Sequence, residues 1–191
     1  MAENNNRSNR RPRQQTPVDN TFGHLPPQAI DIEQVVLGAL LIDDEAFGVV
    51  SELLHPDTFY DPRHQHIFTA IQALNLSERP ADILTVTEEL RRMGVLEKAG
   101  GAQYVVELSS LVVSSANVEY HSRVLAQKYM ARQLISYASN VETKAFDETV
   151  DTDLLMQEAE GALFELSQKN MKQDYTQIAP VVKKAYEILQ K

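Results

Sequence analysis

From Pro26-Pro27 onward, apolar side chains return every three or four residues, the period of a helix that withdraws one face from water. Ile32, Val35, Val36, Ala39 and Leu40 fall at i, i+3, i+4, i+7 and i+8, and so do Ala46, Val49, Val50, Leu53 and Leu54. This pattern predicts an all-α fold that opens with two short amphipathic helices. Asp43-Asp44 between them suits a turn and offers carboxylates to the positive end of the second helix. Gly38 lies inside the first, where it costs about 1 kcal/mol relative to Ala. We therefore expect another backbone to pack closely against it.

Asp61-Pro62 marks the start of a third helix, because Asp is a preferred cap and Pro a preferred first residue. Its expected buried stripe is His64, Ile67, Phe68 and Ile71. After a polar loop from Asn75 to Pro80, Thr85-Val86-Thr87-Glu88 reads as a capping box for a fourth helix, which Gly94 closes. Gly100-Gly101 starts a further segment with Tyr104, Val105, Leu108 and Leu111 as its apolar face. Residues 24–115 thus form a helical head.

Asn117 is the expected cap of a much longer helix reaching towards Phe146, with Tyr120, Val124, Ala131, Leu134, Ile135, Ala138 and Val141 along it. At 1.5 Å per residue it extends roughly 40 Å, more than the head needs, so it must project. Asp151 opens a partner helix with Leu155, Ala159, Ala162, Leu163 and Leu166 on one stripe. The short connection makes residues 116–170 an antiparallel helical hairpin. Tyr129, Met130, Tyr137, Met156 and Phe164 are expected away from these stripes, so a lone hairpin leaves large apolar groups wet. Self-association follows, and Tyr129, Leu134, Tyr137, Met156, Leu163 and Phe164 are the candidate subunit-interface residues.

The two ends differ from this middle. Residues 1–23 are polar, with Arg7, Arg10, Arg11 and Arg13 against Glu3 and Asp19, and read as a disordered, net positive tail. A polar break from Lys169 to Asp174 precedes residues 175–191, where Ile178, Val181, Val182, Ala185, Ile188 and Leu189 stand in helical register. A short lone helix is marginal in water, so this stripe needs a partner, either a neighbouring subunit or a further domain.

Chemistry is sparse. With 191 residues, 43% of them apolar, the chain supports one domain or one domain with an appendage. Its 27 acidic against 18 basic residues, for a net charge of -9, disfavour a general nucleic-acid coat. Zero cysteines removes thiolate metal sites and Cys nucleophiles, and suits a cytoplasmic protein. No run approaches the roughly 18 apolar residues of a membrane span. His64 and His66 diverge by about 200° on a helix, so they cannot share a metal, and His64 reads as a packing histidine. No GxxxxGK[ST], GxGxxG or GxSxG motif occurs, so no catalytic, cofactor or metal residue is assigned. Asp147 to Glu165 holds seven acids and no base, a solvated face or the landing site of a basic partner.

Taken in order, Leu25-Pro26-Pro27-Gln28, Glu33-Gln34-Val35-Val36-Leu37-Gly38, Leu40-Leu41-Ile42-Asp43, Phe59-Tyr60 with His64 and Ile67-Phe68, Asp82-Ile83-Leu84-Thr85-Val86, Gly94-Val95-Leu96 with Gly100-Gly101, Tyr104, and Ala116-Asn117 with Tyr120 form a distinctive series. It resembles the N-terminal domain of bacterial replicative DNA helicases, the DnaB family. The resemblance implies the collar of a hexameric helicase of the primosome, active in DNA replication, with subunits pairing into dimers within the ring. It further implies a linker helix that packs on the ATPase domain of the adjacent subunit, matching the stripe from Ile178 to Leu189. ATP and Mg2+, single-stranded DNA and hydrolase activity are implied for the parent helicase through that ATPase domain, which these residues lack. The primase C-terminal domain and a helicase loader are the implied partners. The alternative from the residues themselves is a self-contained nucleic-acid adaptor that uses the Arg-rich tail; an unrecognised helical enzyme is a third possibility.

Overall fold

A computed structural model describes residues 25–168; the tail expected at residues 1–23 and the linker helix expected at residues 175–191 lie outside them. All the described regular structure is helical. Six α-helices run in order: α1 Ile30–Ile42, α2 Ala46–Leu53, α3 Pro62–Leu76, α4 Ile83–Arg92, α5 Gly101–Ser110 and α6 Val118–Ala145. A single 3-10 turn, Pro56–Thr58, lies between α2 and α3, and a seventh helix, α7, covers 152–168.

The first helix is the centre of the head rather than one of its faces. Val36, Leu37, Gly38, Ala39, Leu40 and Leu41 are all buried, because α2, α3, α5 and α6 pack around it. An amphipathic reading of α1 misses Leu37 and Leu41, since a helix enclosed on all sides needs no polar face. Phe59 and Phe68 stack obliquely in this core with ring centroids 5.0 Å apart. Each fully buried Leu or Phe contributes about 1.5–3 kcal/mol of transfer free energy.

Gly38 meets the expectation of close backbone packing. A Cβ built there would lie 2.3 Å from the Leu108 carbonyl oxygen of α5 and 2.8 Å from Val112. Carbonyl backbone cannot rotate away, so Gly38→Ala forces α1 and α5 apart. We expect a loss of about 3 kcal/mol of stability by this overpacking, measured as a shift of the urea midpoint.

Several helix ends follow the sequence. Asp61 caps α3 by accepting the backbone N–H of Arg63 at 2.8 Å, and His64, Ile67, Phe68 and Ile71 are buried as expected. Gly94, with φ of +70°, sits just past α4. Others need correction. The capping box of α4 is Asp82 with Thr85, not Thr85 with Glu88: the Asp82 carboxylate accepts the Thr85 N–H at 2.8 Å, and the Thr85 hydroxyl accepts the Asp82 N–H at 2.9 Å. The helix therefore begins before the first expected turn. Asn117 stands at the start of α6 but makes no side-chain cap bond; backbone bonds, including Val118 N–H to the Ser115 carbonyl, serve that end instead. Of the two turn acids, Asp43 accepts the Glu45 N–H at 3.0 Å beside α2, whereas Asp44 accepts the distant Ala81 N–H at 3.0 Å. Val49, Leu111 and Tyr120, expected on buried stripes, are exposed.

Candidate interaction surface on the helical hairpin

At 28 residues, α6 is about 42 Å long. Its buried residues, Val118, Ser122 and Leu125, lie near its start and pack on the head; contact with the head continues as far as Arg132, and beyond it the helix projects. The chain then reverses through a turn in which the Asp147 carboxylate accepts both the hydroxyl of Thr149, at 2.6 Å, and its N–H, at 2.9 Å. Those two bonds, the hydroxyl's the stronger, hold the Asp147 carboxyl below the usual carboxylate range. Asp151 opens α7 as expected, its carboxylate accepting the N–H groups of Asp153 at 2.9 Å and Leu154 at 3.1 Å.

The seam of the hairpin differs from the expected stripes. The Tyr137 hydroxyl donates to the Ala159 carbonyl across the pair at 2.7 Å, and Lys144 pairs with Glu158. Leu155, Ala159, Ala162 and Leu166 of α7 are half-buried, as are Tyr137 and Val141 of α6. Leu134, Ile135, Ala138 and Leu163, expected in the seam, are exposed instead. Tyr129, Met130 and Tyr137, expected to stand outward, are half-buried. At Tyr137 the reversal has a simple cause: an amphipathic Tyr covers its ring between the helices and satisfies a carbonyl with its hydroxyl.

Among the many polar side chains that face water on the hairpin are several large aliphatic and aromatic ones. Leu134 is 42% exposed, Ile135 56%, Leu154 65%, Met156 59%, Leu163 48%, Phe164 63% and Phe146 82%. Of the six candidate interface residues, Leu134, Met156, Leu163 and Phe164 belong to this exposed set, while Tyr129 and Tyr137 are half-buried within the chain's own packing. The acidic run divides likewise. Asp147 and Asp151 serve the turn and the cap, and Glu158 pairs with Lys144; Glu148, Asp153, Glu160 and Glu165 are exposed.

The head holds a buried polar chain centred on His64, which is fully buried. Its Nδ1 lies 2.6 Å from Glu33 Oε2 and its Nε2 2.7 Å from the Tyr104 hydroxyl. Glu33, only 1% exposed, also accepts the N–H of Tyr60 at 2.6 Å and of Asp61 at 3.3 Å. Gln34 donates to Tyr104 Oη at 3.2 Å. If Nδ1–H donates to Glu33 and Nε2 accepts from Tyr104, each of these groups is satisfied. The arrangement is structural: it joins α1, α3 and α5. His66 points away from it, half-buried, and among the described residues no group of three or more His, Asp or Glu is placed to hold a metal.

Two members of this region were missed in the sequence although each carried a signal. Glu33 sits at i, i+4, i+7 with Leu37 and Leu40, an acid on an apolar stripe. Arg132 follows Val118, Ser122, Leu125 and Tyr129 at steps of four and three, the head-facing seam of α6. Its guanidinium donates to the carbonyls of Pro27, at 2.8 Å, and Thr58, at 2.5 Å. Burial lowers its pKa, against the opposing field of Glu33 and the two nearby tyrosines.

Residues 25–127 match the family described as DnaB-like helicase N terminal domain. The chain is similar to the replicative DNA helicase DnaB of Rhodothermus marinus, 45% identical over 168 residues, and to that of Geobacillus stearothermophilus, 36% identical over 163 residues. These matches cover 88% and 85% of the chain but 18% and 36% of the relatives, so the chain spans about a third of their length or less. Among solved structures it is similar to the N-terminal domain of DnaB helicase from Mycobacterium tuberculosis, at a TM-score of 0.71 and 35% identity, covering 74% of this chain and 99% of that one. It is also similar to a DnaB-like replicative helicase described with its interactions with primase, at a TM-score of 0.60 and 25% identity, covering 72% of this chain and 31% of that one.

Proposed function

The chain belongs to the DnaB-like helicase N-terminal domain family, and from that premise we propose that it is the assembly and docking module of a hexameric replicative DNA helicase. The hairpins pair subunits, the ring closes, and the collar so formed receives primase. The single observation that carries this reading is the number of large exposed apolar side chains on the hairpin, Leu134, Ile135, Leu154, Met156, Leu163 and Phe164. Water contact with that many large apolar side chains is unfavourable for a monomer, and pairing removes it.

On this reading the primase C-terminal domain is the collar's partner; a helicase loader approaches the linker region. Weak sites repeated around a ring gain affinity through effective concentration. The stripe from Ile178 to Leu189 docks on the ATPase domain of an adjacent subunit, and single-stranded DNA, ATP and Mg2+ are handled by that domain of the whole helicase. The segment supplies geometry, not chemistry. Among the described residues, no helix is long and apolar enough to cross a membrane.

Size-exclusion chromatography with light scattering tests the proposal. At about 50 μM, a concentration at which even a weak dimer is populated, the chain is expected to run as dimers or larger assemblies. A strict monomer at that concentration overturns it.

A further inference from the structure

The long α6 belongs to two bodies. Its first turns are locked into the head by Val118, Ser122 and Leu125, and its later turns form half of the hairpin. Helix geometry sets the angle between them only loosely, because a long helix can curve gently along its length. Where α6 passes the edge of the head stand Tyr129 and Arg132, and it is Arg132 that bonds to the head.

Four contacts converge on its guanidinium. One N–H group donates to the Pro27 carbonyl at 2.8 Å and another to the Thr58 carbonyl at 2.5 Å. The guanidinium carbon also stands over the rings of Tyr60, 5.7 Å from the centroid, and Tyr129, 5.5 Å away. Three of these partners come from the head: the segment before α1, the 3-10 turn, and Tyr60 two residues past it. They are themselves held still. The Tyr60 N–H is bound by the buried Glu33 carboxylate, and the 3-10 turn is closed by reciprocal bonds between His55 and Thr58. A planar fork bonded to two carbonyls and lying over two rings is restricted in orientation, which a flexible point charge does not enforce.

We propose that Arg132 is a positioning residue, a latch that fixes the angle at which the hairpin leaves the head. The inference deepens the assembly reading and rests on it for its purpose. Subunits that close a ring must present their pairing surfaces at one angle, since small deviations leave the ring open or the assembly mixed.

The chain has no native cysteine, so Ala102→Cys on α5 and Asn140→Cys on the hairpin, both exposed, accept spin labels without background. Pulsed dipolar spectroscopy, with labelled chain diluted into unlabelled chain, then reads the distance between head and hairpin within one molecule. With Arg132 present, one narrow distance distribution is expected. Arg132→Met keeps the apolar stem but no donors, and Arg132→Lys keeps the charge without the fork; both are expected to broaden the distribution about twofold while helix content stays unchanged. Equal widths in the Met variant would overturn the latch. A Lys variant as narrow as the parent would overturn the role of the fork, and loss of helix content in both variants would make Arg132 a folding residue instead. Light scattering on the same samples separates the two readings. Broadened distances in a chain that is monomeric throughout leave the latch standing without the assembly, and unchanged distances in an oligomer do the reverse.

Discussion

Glu33→Ala is expected to destabilise the head by about 3–6 kcal/mol, a large share of the 5–15 kcal/mol that holds a typical domain together. The residue is almost completely enclosed, and its carboxylate is the acceptor for the Tyr60 and Asp61 N–H groups and for His64 Nδ1. Alanine leaves all three donors without their acceptor at once. Each stranded donor costs about 1–3 kcal/mol, and breaking a buried pair by removing one partner is costlier than never having built it. The cavity left by the shorter side chain adds to this. Urea denaturation followed by circular dichroism is the measurement, with Glu33→Gln as comparison. Glutamine retains one carbonyl acceptor and is expected to lose less. A change below about 1 kcal/mol in the Ala variant would show that the network is dispensable.

Replacing Leu134 and Leu163 together by Asp is expected to abolish assembly while leaving the helices intact. Both side chains are already about half exposed, so a carboxylate at either position remains hydrated in the free chain and costs the fold little. In a pairing interface the same carboxylates must be stripped of water opposite apolar groups, which is strongly unfavourable. A penalty of about 3 kcal/mol raises the dissociation constant more than 100-fold. Light scattering reads the mass, and far-ultraviolet circular dichroism checks the helices. Asn140→Asp, an added charge on another exposed position of the same hairpin, is the control and is expected to assemble normally. If the double variant assembles as well as the parent, the pairing surface lies elsewhere on the molecule.

Most of the helical plan was legible because helix start and stop signals are local. Asp61-Pro62, Gly94 and Asp151 each act on backbone groups within a turn of themselves, and each stands where its chemistry placed it. Where two local signals competed, as at Asp82 and Thr85, the structure chose the pair that satisfies both donors earliest in the chain. Faces were less legible. Periodicity says that a helix has an apolar side, but not which neighbour claims it. In α6 the apolar residues form two overlapping sets, one of which, Val118, Leu125 and Tyr129, turns to the head, while the other, Leu134 and Ile135, turns to water.

The residues that fasten the fold were the least legible of all. Glu33, His64 and Tyr104 lie 31 and 40 positions apart in pairs, and Arg132 reaches a carbonyl 105 positions away. Taken by itself, the order of amino acids determined the all-helical class, the length of the projecting helix, the close approach at Gly38 and the family, since each of these is written in spacing, caps or motif order. Tertiary structure alone decided which side chains of the hairpin are spent on its own seam, which carboxylate is buried, and which arginine holds the two halves together. The division is physical: a cap acts over one turn of backbone, whereas burial is a property of what the rest of the chain brings alongside.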